Sequence, residues 1–317
     1  MTAASSADVS RASTMIELGR FAEAIRALTA MVAASPHDGR AWCLLARAQL
    51  GNGSPGAAVR AARRASAADP ADDWPYRLAG MALIDLGRPA DAVAAASRAR
   101  ELAPQFWRSH VCLAQAALAA GDTGLAREAR AAALALAPEE AEVHVVAGKV
   151  ALGEGDLEEA AASQRAALAI DPANVGAVNE LGLISLRRRD PAGAAGHFIE
   201  AVRRSPGSSV FRGNYEAALA RVAAGIAASG WLVAVAIAAV VLLAGVGSAS
   251  PWALMLAGLL AALGAADAVR RFVAVPRTAR PRLAGMLWRR PAGLALGAAA
   301  VIISRLRSAG RRGPASR

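Results

Sequence analysis

The 317-residue sequence contains few residues of the kinds that build a catalytic or metal centre. It has four histidines and two cysteines, and no histidine falls in a HExxH or other recognisable ligand pattern. A phosphate-binding glycine loop and a GxSxG nucleophile elbow are also missing from the sequence. We therefore predict that the protein is not an enzyme, that it has no catalytic or metal-binding residues, and that it needs no cofactor.

Lysine is almost absent, and acidic residues become scarce after Glu216. Residues 1–216 carry 23 basic and 24 acidic side chains, whereas residues 217–317 carry 13 arginines and a single acid, Asp267. The net charge of +11 therefore comes from the last third of the chain, where the arginines flank strongly apolar segments. Because nucleic-acid binding needs basic side chains on a water-exposed surface, we predict no nucleic-acid partner.

Proline recurs at a strict spacing of 34 residues through the first two thirds of the chain. An alanine stands twelve residues before each of these prolines, and a glycine stands seventeen residues before five of the six, with Arg189 in the remaining place. Glycine can end a helix in a left-handed conformation, and proline cannot continue a helix. Each unit is therefore predicted to be a helix, a glycine turn, a second helix and a proline turn. The prolines that close the six units are Pro36, Pro70, Pro104, Pro138, Pro172 and Pro206.

This unit resembles the tetratricopeptide repeat family, whose 34-residue helix pair has a bulky residue, a Leu-Gly pair, an alanine and a closing proline. Leu181 with Gly182 is the fullest Leu-Gly pair, and Phe198 matches the aromatic residue of the second helix. The bulky position holds Trp42, Tyr76, His110, His144 and Val178. The resemblance implies an all-α fold in which residues 1–208 form a right-handed superhelix of about six helix-turn-helix repeats.

The array is followed by 45 consecutive residues without a charge, from Val222 to Ala266. A bilayer core of ~30 Å takes about 20 helical residues to cross, so the stretch is long enough for two passes. We predict a capping helix over residues 209–228 and a two-helix transmembrane hairpin over residues 229–269, with its turn at residues 248–251. A buried helical hairpin of a soluble domain is the alternative.

Small residues recur every four positions along both predicted spans, at Ala234, Ala238, Gly258, Ala262 and Ala266. This spacing lets helices approach closely in lipid, either within one chain or between two chains. The sequence leaves both uses open, so a homo-oligomer formed through the hairpin is one of the predicted associations.

Arginines lie on both sides of the uncharged stretch, and its central turn has none. By the positive-inside rule both flanks belong in the cytoplasm, and the start of the chain lacks a signal-peptide pattern. We predict a multi-pass protein of the cell membrane with a cytoplasmic repeat array and an arginine-rich, membrane-proximal tail over residues 270–317. Its short apolar helix, residues 291–303, would reach only ~20 Å, which favours a helix lying on the membrane, near anionic lipid headgroups, over a third span.

Cys43 and Cys112 are separated by 69 residues, or about two repeats. Residues two repeats apart in a solenoid are not neighbours, and a disulfide needs Cα atoms within ~7 Å, so we predict two reduced thiols. Asp267 is the acid closest to the predicted spans. Because Arg270 and Arg271 follow it, we interpret it as part of an interfacial ion pair rather than as a functional intramembrane acid.

In proteins of the family that this chain resembles, the first helices line a concave groove that holds a peptide. The resemblance implies that groove residues lie 4, 7, 11 and 14 positions after each proline. The predicted peptide-binding residues are Arg40, Arg47, Trp74, Arg77, Met81, Arg108, Gln115, Lys149 and Asn179. The basic members of this set are opposed mainly by Glu142, so the groove would favour an acidic peptide or a terminal carboxylate. Ordinary solvated arginines are the alternative interpretation.

The function predicted from these features is that of a membrane-anchored adaptor, or scaffold, which binds a protein or peptide at the cytoplasmic face. Its partners are that protein and membrane lipid, and tethering would raise the effective concentration of whatever the groove holds. The alternative is an assembly or secretion-accessory subunit of a membrane complex that acts mainly through its hairpin.

Overall fold

The computed structural model describes residues 6–245 and 251–288, and over these ranges it contains fifteen α-helices joined by short turns. The chain divides into two compact units, Met1–Asn174 and Val175–Arg317. The turn residues 248–250 and the short apolar helix predicted at residues 291–303 lie outside the described residues.

Unit 1 consists of five helix pairs, and each pair is one of the predicted repeats. The first helices of successive pairs contact one another in series, from α1 to α3, α5, α7 and α9, so they form one layer of the unit. The helices are α1 (Ser6–Glu17), α2 (Phe21–Ala34), α3 (Gly39–Gly51), α4 (Pro55–Ala68), α5 (Trp74–Asp85), α6 (Pro89–Leu102), α7 (Trp107–Ala120), α8 (Thr123–Leu136), α9 (Ala141–Glu154) and α10 (Leu157–Ile170).

The turn inside each pair has the left-handed backbone that the glycine spacing predicts. The five glycines of this column have φ between 67° and 86°, a region that glycine enters at little steric cost. They are Gly19, Gly53, Gly87, Gly121 and Gly155. Arg189, which occupies the same place in the sixth repeat, also has a positive φ, of 60°. The conformation of the turn is therefore kept where the glycine is lost.

The bulky column of the repeats has a hydrogen-bonding role in addition to packing. The residue six positions after a repeat proline bonds to the carbonyl oxygen of that proline in four repeats. Trp42 Nε1 donates to Pro36 O at 2.8 Å, and a ring nitrogen of His110 lies 2.8 Å from Pro104 O. His144 makes the same contact with Pro138 O at 2.6 Å. The two histidines of this column therefore tie the start of a first helix to the preceding turn.

Unit 2 begins with the sixth helix pair, α11 (Val175–Arg187) and α12 (Pro191–Arg204). Gly182 on α11 faces the ring of the fully buried Phe198 on α12, and a Cβ atom at Gly182 would lie 2.5 Å from the ring atom Cε1. The glycine and the aromatic residue that match the repeat pattern thus fit together in one tight contact.

The next helix, α13 (Ser209–Gly245), runs without interruption for 37 residues. Its first half packs against α12 through buried residues such as Tyr215 and Leu219, as a capping helix should. The predicted boundary between a cap ending at residue 228 and a span starting at residue 229 therefore falls inside one helix. Residues 209–238 of α13, with a mean hydropathy of 1.7, are the one helix of membrane-spanning length and composition in the described residues, and 47% of its most apolar window is buried. Two membrane passes are thus not shown.

Helix α14 (Pro251–Ala274) packs antiparallel against the second half of α13. The small residues of α14 that are buried are Ala257, Gly264 and Ala268. The predicted stripe of Gly258, Ala262 and Ala266 is exposed instead. Of the two uses that the spacing left open for this stripe, packing within the chain is therefore not the one that the structure has.

The residues after α14 are more ordered than a basic tail implies. Helix α15 (Arg280–Trp288) contacts α13, with Leu283 fully buried, and Arg282 forms an ion pair with Glu216 on α13. Arg280 donates to the carbonyl oxygens of Val273 and Val275 at 2.8 and 3.1 Å, next to the end of α14. Two arginines assigned to the membrane-proximal tail are thus held by protein groups.

Candidate peptide-binding clefts

The layer formed by α3, α5, α7 and α9 in unit 1 carries two adjoining open clefts. Most of their lining residues lie 4, 7, 11 or 14 positions after a repeat proline, which is the spacing predicted for groove residues. This spacing corresponds to one face of a helix, so the same face of each first helix borders the clefts. The two clefts share Arg47, Leu78, Met81 and Gln115.

The first cleft, which we call the polar cleft, has a volume of about 530 Å³. It carries three arginines and one glutamate together with aromatic and aliphatic side chains. Its lining consists of Arg47, Trp74, Arg77, Leu78, Met81, Phe106, Arg108, Val111, Cys112, Gln115 and Glu142.

The second cleft, which we call the apolar cleft, has a volume of about 580 Å³. Aliphatic side chains form most of its wall, and its charged groups are Arg47, Asp85 and Lys149. The aliphatic residues are Leu50, Leu78, Met81, Ile84, Leu118 and Ala119. A cleft of this size and composition can take up a large aliphatic or aromatic side chain.

Seven of the nine predicted peptide-binding residues line these clefts, namely Arg47, Trp74, Arg77, Met81, Arg108, Gln115 and Lys149. The other two lie elsewhere. Arg40 is exposed near the start of α3 and borders neither cleft. Asn179 belongs to unit 2, where it is 7% exposed and accepts a hydrogen bond from Asn214 Nδ2 at 2.9 Å.

The three arginines of the polar cleft differ in how far protein groups hold them. Arg77 forms an ion pair with Asp73, one helical turn earlier, and its guanidinium lies 4.9 Å from the centre of the Phe106 ring. Arg108 stacks at 4.1 Å over Trp107 and approaches Glu142 at 4.0 Å, the outer limit of an ion pair. For Arg47, no side-chain ion pair or hydrogen bond is present in the part of the chain that the structure describes.

Three residues that shape the clefts were missed by the spacing rule. Phe106 lies only two positions after Pro104, in the turn before α7, and its ring contacts both Arg77 and Arg108. Asp73 neutralises Arg77, and Asp85 lines the apolar cleft. The Asp73–Arg77 pair has the i, i+4 spacing of a helical ion pair, so the sequence did contain a signal for it. The predicted positive bias of the groove is therefore smaller than a count of its arginines implies.

The two cysteines are free and buried, as predicted for reduced thiols. Burial raises the pKa of Cys43 and of Cys112 to about 12. Because the thiolate is the reactive form, neither thiol is suited to nucleophilic or redox chemistry, although Cys112 borders the polar cleft. Within residues 6–245 and 251–288, no three His, Cys, Asp or Glu side chains are grouped so that they could hold a metal ion.

Two family models, both described as tetratricopeptide repeat, match the chain. One matches residues 15–82, and the other matches residues 77–141, 113–175 and 145–209. Together they cover the six helix pairs and end where α13 begins. No curated protein matches the chain.

Solved structures of tetratricopeptide repeat proteins have a similar fold. A thermophilic protein from Thermus thermophilus is 22% identical, with a TM-score of 0.53 over 58% of this chain and 100% of that one. A protein from Parabacteroides merdae ATCC 43184 is 13% identical, with a TM-score of 0.58 over 67% and 82% of the two chains. PilW, a type IV pilus biogenesis factor, is 16% identical, with a TM-score of 0.53 over 67% and 96%. At these identities the likeness concerns the fold alone.

Proposed function

The chain belongs to the tetratricopeptide repeat family and is a helical-repeat scaffold for protein–protein interaction, and we propose that it is a membrane-anchored adaptor. In this proposal residues 1–208 bind a protein partner, residues 209–228 cap the repeats, residues 229–269 insert into the membrane, and residues 270–317 stay at its surface. Because tethering raises the local concentration of a captured partner, the protein would act by bringing that partner to the membrane.

The binding part of the proposal is supported by the convergence of seven predicted groove residues on two adjoining clefts in unit 1. Open clefts of roughly 300–1,000 Å³ with apolar walls and a few charged groups are typical of binding sites. The excess of arginine in the polar cleft favours a partner segment with acidic character.

The observation that carries the membrane part is the set of large apolar side chains exposed along α13 and α14 of unit 2. A soluble monomer rarely exposes so many neighbouring apolar residues unless another phase or protein covers them. At least half of each side chain's surface is accessible for Trp231, Val235, Trp252, Met255, Leu256, Leu259, Leu260 and Leu263. The uncharged composition around them and the arginines at its ends favour lipid as the cover.

A polar belt at the open end of the hairpin is consistent with one face at the membrane surface. Asp267 accepts hydrogen bonds from Ser229 at 2.7 Å, from Arg270 at 2.7 Å and from Arg271 at 2.6 Å. Beyond this belt each arm has about 16 described residues, or ~24 Å of helix, against a hydrocarbon thickness of ~30 Å. Snorkelling arginines and local thinning of the bilayer accommodate a mismatch of this size.

Thiol labelling of the full chain in cells and in inverted membrane vesicles tests the topology. Both natural cysteines are buried, so an added cysteine reports its own side of the membrane. We expect Gly207→Cys to react with an impermeant maleimide only in inverted vesicles, and Ser248→Cys to react only from outside the cells. Labelling of both positions from the same side would contradict a hairpin that crosses the membrane.

The exposed stripe of Gly258, Ala262 and Ala266 on α14 favours the second candidate, an assembly or secretion-accessory subunit that acts through its hairpin. Small residues at this spacing allow another transmembrane helix to approach closely. Disulfide crosslinking from Ala262→Cys distinguishes the candidates, because a crosslink to a different membrane protein supports the accessory role. A crosslink between two copies supports a homo-oligomer.

A further inference from the structure

The charged groups of the polar cleft leave one arginine available to a ligand. Arg77 is 14% exposed at its side chain, and its partner Asp73 also accepts a hydrogen bond from Ser109 at 3.2 Å. This arginine therefore belongs to the wall of the cleft. Arg108 and Glu142 are about half exposed and only 4.0 Å apart at their closest, so their mutual attraction is weak. Arg47 is exposed and has no acidic partner among the described residues.

Arg47 and Arg108 together are suited to a carboxylate. The ring of Trp107, 4.1 Å from the Arg108 guanidinium, restricts the orientation of that planar group. A pre-oriented guanidinium loses less conformational freedom when it binds a carboxylate in bidentate fashion. Counting Asp73 with the cleft, three arginines face two acids, and the excess positive charge is that of Arg47.

The apolar cleft begins on the other side of Arg47. Its wall is aliphatic, and Met81, which is 37% exposed, has an unbranched side chain that adapts to the shape of a bound group. Asp85 lines only this cleft and would repel a carboxylate there. A ligand with one acidic and one aliphatic group would therefore bind in one orientation, with its acid toward Arg47 and Arg108.

We infer that the two clefts form a single site for a peptide segment in which an acidic side chain lies close in sequence to a large aliphatic one. Arg47 selects the carboxylate, and Met81 with its aliphatic neighbours selects the apolar side chain. This inference rests on the proposed binding function of unit 1 and is independent of the membrane part. It assigns to Arg47, rather than to Arg77, the role of selecting charge.

Selection from a displayed library of random dodecamer peptides, with the full chain in detergent micelles as bait, tests this inference. We expect the natural chain to enrich peptides that combine Asp or Glu with a nearby Leu, Ile, Met or Phe. Arg47→Glu should remove the enrichment of acidic residues. Arg40→Glu is its matched control, because this arginine lies on the same helix, is also exposed and borders neither cleft.

Met81→Gln tests the apolar half of the site and should reduce the enrichment of aliphatic residues. Leu86→Gln is the matched control, since Leu86 directly follows α5, is 40% exposed and lies outside both clefts. The helical circular dichroism of all four variants should match that of the natural chain, because each substitution is at an exposed side chain.

A quantitative measurement then uses the most enriched peptide and its amide analogue, in which Asp is replaced by Asn or Glu by Gln. For the natural chain and Arg40→Glu we expect the amide to bind roughly tenfold more weakly by fluorescence anisotropy, as for loss of one charge-assisted hydrogen bond. For Arg47→Glu the two peptides should bind alike.

An undiminished preference for acidic peptides in Arg47→Glu would overturn the role of Arg47 and leave the binding function intact. A preference for basic peptides in the natural chain would also overturn the inference. If the natural chain enriches no peptide at all, both this inference and the peptide-binding part of the proposed function are wrong.

Discussion

Arg189 holds a backbone conformation that the other repeats assign to glycine. Its φ of 60° lies in the left-handed region, which costs a residue with a Cβ atom roughly 1–2 kcal/mol. The side chain is exposed, so a substitution there removes little packing. We expect Arg189→Gly to raise the free energy of unfolding by about 0.5–1 kcal/mol, because relief of the strain exceeds the entropic cost of the glycine. Chemical denaturation in detergent micelles measures the change.

Gly155→Ala is the converse control for this prediction. Gly155 occupies the equivalent turn with φ of 86°, and no atom lies within 4 Å of an added Cβ. Any loss of stability in this variant therefore comes from the backbone and not from a clash. We expect a loss of about 1–2 kcal/mol. Equal stability of Arg189→Gly and the natural chain would show that the arginine adopts this conformation without strain.

At the scale of single residues, the spacing of the repeats predicted position better than partners. It identified the column of His110 and His144 as structural, but not the bonds from these rings to the carbonyl oxygens of Pro104 and Pro138. It also identified Arg77 as a groove residue and not its neutralisation by Asp73. A periodic pattern records which face of a helix a residue occupies. The partner depends on turns such as the one that brings Phe106 into the cleft.

At the scale of helices, the sequence predicted the repeat units and misjudged the segments after them. The turn glycines and prolines are local signals, so each of the first twelve helices follows from its own residues. The ordered contacts after α14 depend instead on remote partners. Arg282 pairs with Glu216, which is 66 residues earlier, and no spacing rule connects the two. The arginines of this segment were therefore interpreted as membrane-flanking charges.

The docking of α15 on α13 gives a prediction at this scale. Leu283 is fully buried, and replacing a buried leucine with alanine typically costs about 2–5 kcal/mol. We expect Leu283→Ala to release α15, so that the amide protons of residues 280–288 exchange much faster while those of α11 and α12 keep their protection. Hydrogen–deuterium exchange of the full chain in micelles resolves these segments.

Gly285→Ala is the control on the same helix. No atom lies within 4 Å of a Cβ added at Gly285, and alanine has the higher helix propensity. Exchange of α15 should therefore slow slightly or stay the same in this variant. If Leu283→Ala leaves the protection of α15 unchanged, the packing of Leu283 does not hold this helix in place.

For the whole molecule, the uneven distribution of charge was the most useful feature of the sequence. It separated a nearly neutral repeat array from an apolar and arginine-rich region, and the structure likewise divides the chain into two units. The division falls at residue 174, earlier than the change in composition. The sixth helix pair belongs to unit 2, where α12 packs against α13. Composition follows the solvent that a segment is suited to, whereas a compact unit follows the packing of its side chains.

Whether lipid surrounds α14 can be decided with two exposed positions on that helix. Leu259 and Val273 are both 56% exposed, but Leu259 lies within the uncharged stretch and Val273 lies beyond Arg270 and Arg271. An arginine near the centre of a transmembrane helix costs roughly 2.5–3.5 kcal/mol of insertion free energy. We expect Leu259→Arg to show a penalty of about this size in a microsomal insertion assay with engineered glycosylation sites.

Val273→Arg is the matched control, because the new charge would lie with the arginines already at the membrane surface. We expect it to leave insertion unchanged or to improve it slightly, since positive charge there favours the cytoplasmic side. A surface that faces water would tolerate arginine equally well at both positions, because exposed substitutions usually change stability by less than about 0.5 kcal/mol. Equal behaviour of the two variants would therefore contradict the proposed membrane hairpin and leave the peptide-binding clefts of unit 1 unaffected.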